Sequence, residues 1–375
     1  MTHQPLDLLG KLGHPRIQQR IREARNSKTV GPIVVELDPT SFCDLECPNC
    51  ITMDVLNQSR FSAERLSKFP AELAEMGVMA VILIGGGEPL IHPNTPRLIA
   101  GLREHKIKTG LVTNGTMIHR YVDLLAKSCE WIRISMDAGS PDTYARVRPQ
   151  RTTGSSLKTF ERIIDGIRKI AEIDPATRGT VGYSFVIQSG YTAQQGSRNI
   201  DDIMAATALA KQLGCDYIEF KAEMQPNHQI MALSEIDRGK IRQSLTNARM
   251  LASDSFKVEF SSSMLAAQSA EEQTGQIKNY ASCPVADLRT TISPSGCFVC
   301  SYHRGNSAHR YGDVAIRPFN EVWRERSITT RPNSDCNFHC ARHEVNEALL
   351  VSNEDSIPPT GESRSSPRSS GDLFI

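Results

Sequence analysis

The chain contains no apolar run approaching the ~20 residues of a membrane span. Its longest candidate, VMAVILI at 78–84, runs straight into three glycines. No apolar signal-peptide region stands at its start, so a cytoplasmic, reducing setting is expected. A charge excess is missing too: 43 Lys and Arg face 42 Asp and Glu, for a formal net charge of +1. With no basic field there is no footprint for nucleic acid, and with no acidic one none for cations. Partners of the nucleic-acid and membrane kinds are therefore not expected. Arg16, Arg20, Arg22 and Arg25 do cluster early, and read as the solvated face of an N-terminal helical extension over 1–30.

What the chain does have is ten cysteines. In a reducing compartment these are not a disulfide framework, and grouped thiols there point to metal or catalysis. The hydrophobic share of 39% and the length of 375 residues leave room for a full core, in one large domain plus a smaller one.

From residue 33 a strand–turn–helix unit recurs. Strands are expected at 33–39, 80–86, 108–114, 131–137, 181–188 and 217–222. Between them, 62–77, 157–173 and 200–214 carry apolar residues at helical spacing. Six such units predict an α/β fold, a partial (β/α)6 TIM-like barrel over 31–255, with its chemistry at the C-terminal strand ends. The rhythm changes beyond about 256. A small cysteine-rich domain is expected over 256–348, stabilised by a metal because its core is thin. The polar tail over 349–375 is expected to be disordered.

Cys43, Cys47 and Cys50 form CxxxCxxC on the loop after the first strand. A structural zinc site wants four protein ligands, whereas a [4Fe–4S] cluster held by three thiolates leaves one iron open. GGGEP at 85–89 ends the second strand, where Gly86 and Gly87 let backbone approach a ligand; a simple tight turn is the plainer alternative. Ser135 and Asp137 share one face of the fourth strand by period 2 and point to the barrel mouth. Asn114 ends the third strand and Arg148 follows the fourth. Strand-end capping is the competing account of these polar residues.

Together the three-cysteine loop, the strand-borne GGE and the six β-α units resemble the radical S-adenosylmethionine (radical SAM) enzymes. The resemblance implies that Cys43, Cys47 and Cys50 hold a [4Fe–4S] cluster whose open iron chelates S-adenosylmethionine. An electron from the cluster then splits the sulfonium, and the 5′-deoxyadenosyl radical abstracts a hydrogen atom. It further implies that Glu88 accepts from the methionyl amine, that Ser135 and Asp137 contact the ribose, and that a flavodoxin- or ferredoxin-type donor supplies electrons. Asn49 departs from the family, which often places an aromatic residue there beside adenine.

A second group comprises Cys283, Cys297, Cys300, Cys336 and Cys340, with a hairpin turn expected in SPSGC at 293–297. It resembles the family's SPASM and twitch extensions and implies one auxiliary [4Fe–4S] cluster, with either Cys297 or Cys300 a candidate spare. Structural zinc, with His303, His339 or His343, is the alternative. Cys129 reads as a buried hydrophobe. Cys215 reads as a core or loop residue, or else as a hydrogen donor in a radical epimerase.

The reaction expected is oxidation or epimerisation of a small sugar- or aminocyclitol-type intermediate. With 42 residues before Cys43, a leader-binding module is not expected there. A maturase acting on a short peptide or protein is the alternative, and a non-catalytic Fe–S or zinc binding protein a further one.

Overall fold

The computed structural model describes residues 8–27, 29–152, 155–190, 197–268, 277–351 and 373–374. They fall into two compact units. The first comprises Met1–Phe42, Asp54–Gly110 and Ile277–Ile375, the second Cys43–Met53 and Leu111–Gln276. Among the described residues there are ten strands: β1 (Val34–Leu37), β2 (Ala80–Leu83), β3 (Lys108–Thr113), β4 (Trp131–Ser135), β5 (Thr180–Ile187), β6 (Tyr217–Ala222), β7 (Lys257–Phe260), β8 (Arg289–Ser293), β9 (Gly296–Phe298) and β10 (Arg310–Gly312). The first six are those expected, and helices Ala63–Glu75, Ser156–Ala171 and Ile203–Gln212 fall where helical spacing puts them.

In the first unit the strand neighbours run β10-β9-β8-β1-β2-β3. β1 is parallel to β2, with Val34 opposite Ala80, and parallel to β8, with Val34 opposite Arg289. All four residues of β1 are buried, as a strand covered on both faces requires. The hairpin in SPSGC is present: Ser293 lies opposite Gly296 between antiparallel β8 and β9. Helix Ala63–Glu75 starts at Ser62, whose hydroxyl accepts from Arg65 N, and buries Leu66, Phe69 and Leu73.

Two expectations need correcting in this unit. Arg20 is not on a solvated face: it lies beside Ile17 and Ile21 on the buried side of helix Pro15–Asn26. Its guanidinium donates to the carbonyls of Gly31 at 2.6 Å and Gly77 at 2.9 Å. Arg16, Arg22 and Arg25 are exposed as expected. The tail expected to be disordered over 349–375 lies outside the described residues at 352–372. Leu349 is instead buried in helix His343–Val351, and Leu373 and Phe374 are buried as well. Lys11 Nζ donates to the Phe374 carbonyl at 2.9 Å. Leu373 and Phe374 are apolar residues in an otherwise polar segment, and burial is where such side chains gain free energy.

In the second unit the order is β3-β4-β5-β6-β7. Each strand lies beside its sequence neighbour, the order of a partial (β/α)6 barrel and not of a doubly wound sheet. β7 adds a seventh strand parallel to β6, Tyr217 opposite Lys257, so the rhythm continues past 256. Alternation sorts the side chains of β4 to β6. Ile132, Ile134, Phe185, Ile218 and Phe220 are fully buried, and the rings of Phe185 and Phe220 meet at 5.5 Å. Phe160, Ile163, Ile167 and Ile170 of helix Ser156–Ala171 are buried too, each worth roughly 1.5–3 kcal/mol. The other set carries Arg133, Glu219 and Lys221, whose charges pair at 2.9 and 3.3 Å. Gly182 sits between Arg133 and Tyr217 in register. A Cβ there would lie 2.1 Å from the Tyr217 ring, so only glycine admits that ring.

Candidate functional site

The loop carrying Cys43, Cys47 and Cys50 is held within the second unit by the segment after Arg148. Leu45 bridges Gln150, Glu46 N donates to Pro149 O at 2.8 Å, and Arg151 N to Asp44 O at 3.0 Å. Asn114, just past β3, donates its Nδ2 to Asp44 Oδ1 at 2.8 Å and approaches Cys43 Sγ at 3.9 Å. Arg148 Nη1 lies 3.9 Å from Cys47 Sγ, and Thr52 Oγ1 lies 3.3 Å from Cys50 Sγ. All ten cysteines are among the described residues, and none is in a disulfide. Burial pushes the Cys47 thiol up to about 11, against the pull of the Arg148 guanidinium. Partly exposed thiols approached by N–H and guanidinium donors suit thiolate ligands of a cluster, so this donor set fits one.

Asp137 has a left-handed backbone, φ 54°, which non-glycine residues adopt at a cost. Its carboxylate is already engaged, by Arg148 Nη2 and by Val186 N at 2.7 Å. Asn199 Nδ2 holds its carbonyl at 2.8 Å. Asp137 and Arg148 thus form a buried pair that braces the cysteine loop through Cys47. Arg148→Met is expected to cost about 3 kcal/mol in urea denaturation, because it strands a buried carboxylate. Arg148→Lys should recover only part of that, since lysine cannot reach carboxylate and sulfur in one planar fork. Ser135 closes β4 opposite Ser184.

In the first unit the GGG turn is tight. A Cβ on Gly87 would lie 2.1 Å from the Phe42 carbonyl oxygen, while one on Gly86 would meet Val55 at 3.2 Å. Gly86 N donates to Asp38 Oδ2 at 3.1 Å. Burial raises the Asp38 carboxyl to about 6 in spite of Arg304. Glu88 is buried, and its Oε1 caps the turn at Pro89–Ile91 by accepting from Leu90 N at 3.0 Å.

The second thiol group also lies in the first unit. Cys283 and Cys340 stand within electrostatic reach of each other, and both within reach of Cys300 and of Cys336. Cys297 does not join them. It is fully buried on β9, its sulfur is 3.4 Å from Thr290 Oγ1, and the charged neighbour it senses is Arg326. Cys297 and Cys300, the two candidate spares, thus differ in their surroundings: Cys297 is packed within β9, and Cys300 lies past its end near Cys283 and Cys340. Lys278 Nζ donates to the carbonyls of Cys336 at 2.7 Å and Phe338 at 2.6 Å, which puts a cation beside the sulfurs. Arg342, two residues past Cys340, joins Arg289 and Arg304 around Glu36 of β1. Burial would raise that carboxyl; the three guanidiniums outweigh it and bring it to about 2. Of the histidines, His303 Nε2 lies 3.5 Å from Cys336 Sγ. Among the described residues no three His, Cys, Asp or Glu side chains converge on the position of a single metal ion.

Cys215 precedes β6 and therefore stands at its N-terminal end, opposite the end that carries Asp137. Asp216 N donates there to Val181 O. The thiol is buried and pushed up to about 12 by that burial. A hydrogen donor for chemistry at the C-terminal strand ends does not fit this place. Cys129 is buried, as a core residue is.

Several residues of the site escaped sequence reasoning. Asn49 donates to Gln188 Oε1 at 3.2 Å and Ser197 Oγ at 3.1 Å, tying the cysteine loop to the end of β5. Glu219 and Lys221, with Glu223 just past the strand, share one parity of β6. Their alternation with Ile218, Phe220 and Ala222 is visible in YIEFKAE, and would have flagged a polar face.

Comparison with known proteins agrees with this geometry. The family model of the Radical SAM superfamily matches residues 37–184. A GTP 3′,8-cyclase of Rhodopseudomonas palustris is 30% identical over 227 residues, 57% of this chain and 58% of that one. An AdoMet-dependent heme synthase of Methanosarcina barkeri is 24% identical over 190 residues, 50% of this chain and 49% of that one. The chain spans about half the length of the curated relatives it matches. Streptococcus suis SuiB, solved bound to precursor peptide SuiA, shares the fold with a TM-score of 0.59 at 16% identity, over 90% of this chain and 78% of that one. No helix among the described residues is long and apolar enough to cross a membrane. The loop of Cys43, Cys47 and Cys50 and strands β1 to β4 lie within the part of the chain that matches the Radical SAM superfamily.

Proposed function

We propose that this radical SAM enzyme dehydrogenates a small, hydroxyl-rich substrate of the sugar or aminocyclitol type. In this reading Cys43, Cys47 and Cys50 hold a [4Fe–4S] cluster with one iron open to S-adenosylmethionine, and Cys283, Cys300, Cys336 and Cys340 hold a second one. When bound, the first supplies the electron that cleaves the sulfonium, and the second is a place for the electron that the substrate gives up. The chain's own residues do the rest. Asn114, Asp44 and Arg148 hold the cysteine loop; Gly86 and Gly87 let the β2 turn pack close against Phe42 and Val55; Glu88 offers a carboxylate for the methionyl amine; Lys278 sets a cation beside the second group.

The observation that carries the reading is the gathering of four thiols with Cys297 excluded. Four thiolates saturate a cube, which suits electron acceptance and leaves no iron for substrate. Epimerisation loses support because Cys215, its candidate hydrogen donor, lies at the far end of β6.

The test is anaerobic reconstitution with iron and sulfide, followed by S-adenosylmethionine and dithionite. Methionine and 5′-deoxyadenosine are expected in equal amounts, a flavodoxin- or ferredoxin-type donor replacing dithionite in the cell. An intact cluster that yields no 5′-deoxyadenosine would make the chain a binding protein instead. A peptide maturase is the second reading, favoured by the likeness to SuiB, which was solved with a precursor peptide. Turnover of a peptide, with sugars and aminocyclitols inert, would decide for it.

A further inference from the structure

Glu223 directly follows β6, at the end of the strand that points the same way as Asp137. It is 4% exposed, and beyond an approach from the Ser189 backbone N–H its carboxylate oxygens have no hydrogen-bond partner among the described residues. A buried carboxyl with so little hydrogen bonding is costly. Its strand parity matches Glu219 and Lys221, and those two are paired with each other and with Arg133. Glu223 stands one step beyond that ladder. Burial pushes its carboxyl up to about 7, with the Ser189 backbone N–H pulling the other way and Asp137 adding to the rise. Ser189 lies two residues past β5, whose Ile187 is in register with Ala222. Its hydroxyl is buried as well, and it has no partner among the described residues. Two neighbouring strand ends therefore present a carboxyl and a hydroxyl with most of their hydrogen-bonding capacity unspent among the described residues.

We propose that Glu223 and Ser189 form a substrate subsite that receives hydrogen-bond-donating groups, hydroxyls or an amine, of the substrate. This rests on the small-substrate reading above and deepens it. A carboxylate that only accepts, beside a hydroxyl that both donates and accepts, matches a vicinal diol or an amino alcohol. An acceptor-only group such as a carboxylate would be repelled. Asp137 does not compete for the ligand, because Arg148 and Val186 already engage it.

The proposal makes a claim about the ligand-free protein, where a binding residue and a structural one respond oppositely. Glu223→Gln and Glu223→Met should each raise the melting temperature at pH 8, by about 2–4 °C, because each removes an unpaired buried charge. Lower melting temperatures in both variants would show that the fold relies on Glu223, and would overturn the proposal. Binding is read separately with three probes, myo-inositol, D-glucosamine and cyclohexanecarboxylate, by calorimetry on the reconstituted wild type. Either of the first two should bind, with at least about tenfold weaker affinity in Glu223→Gln, and the third should not. Myo-inositol alone binding assigns a polyol, and D-glucosamine binding more tightly assigns an amine. Failure of both to bind, or equal affinity in the variant, overturns the subsite. Formation of 5′-deoxyadenosine by the wild type without any probe tests the radical SAM chemistry by itself, so the two failures remain distinct.

Discussion

Cys47→Ala is expected to reduce 5′-deoxyadenosine formation to background and to lower the iron content of the reconstituted protein by about four atoms per chain. Three thiolates are the fewest that hold a cube while leaving one iron open, and the loop from 43 to 53 contains only those three. Losing one leaves two protein ligands, too few to retain the cluster against solvent. Cys47 is the informative position because its sulfur is the one that Arg148 approaches, at 3.9 Å. The scaffold should survive, since the loop is pinned by Leu45, Glu46 and Arg151 through backbone contacts that the substitution does not touch. Far-UV circular dichroism would check this. A Cys47→Ala protein that kept its full iron complement and cleaved S-adenosylmethionine would remove the basis for assigning the cluster to this loop.

The second large effect separates two cysteines only three positions apart. Cys300→Ala is expected to drop iron from about eight to about four atoms per chain, whereas Cys297→Ala should leave it unchanged. Cys300 shares its electrostatic surroundings with Cys283 and Cys340, so removing it breaks a set of four. Cys297 is packed on β9 against Thr290. Truncating it opens a cavity of about one sulfur atom and costs on the order of 1 kcal/mol, read as a small fall in melting temperature. Cys300→Ala should also abolish substrate dehydrogenation if the second group takes up the substrate's electron. The opposite iron pattern, loss with Cys297→Ala and retention with Cys300→Ala, would reverse the ligand assignment.

Much of the architecture was legible because its causes are local. Strand alternation and helical spacing depend on residues a few positions apart, and all six expected strands are present, with bounds shifted by a few residues. The CxxxCxxC loop and the GGE turn were legible for the same reason. Other features stayed hidden because their partners are far off in sequence. Arg20 looked like one arginine among four until its face of the helix met the carbonyls of Gly31 and Gly77. The stretch 289–293 is β8, and that it is completely buried and parallel to β1 depends on a partner strand far away in sequence. Leu373 and Phe374 looked like the end of a disordered tail. Asp137 and Arg148 were each read as possible ligand contacts, and the structure joins them to one another.

By itself the amino-acid order determined the class of chemistry and the order of the strands, because short-range spacing is enough to specify a three-thiol loop and a β-α rhythm. Only the tertiary structure decided which thiols of the second group stand together and which of the polar strand-end residues are already engaged. It also decided which acid is buried at a strand end with few partners among the described residues. Those outcomes depend on where distant segments meet, and on the steep difference in free energy between a buried polar group that finds a partner and one that does not.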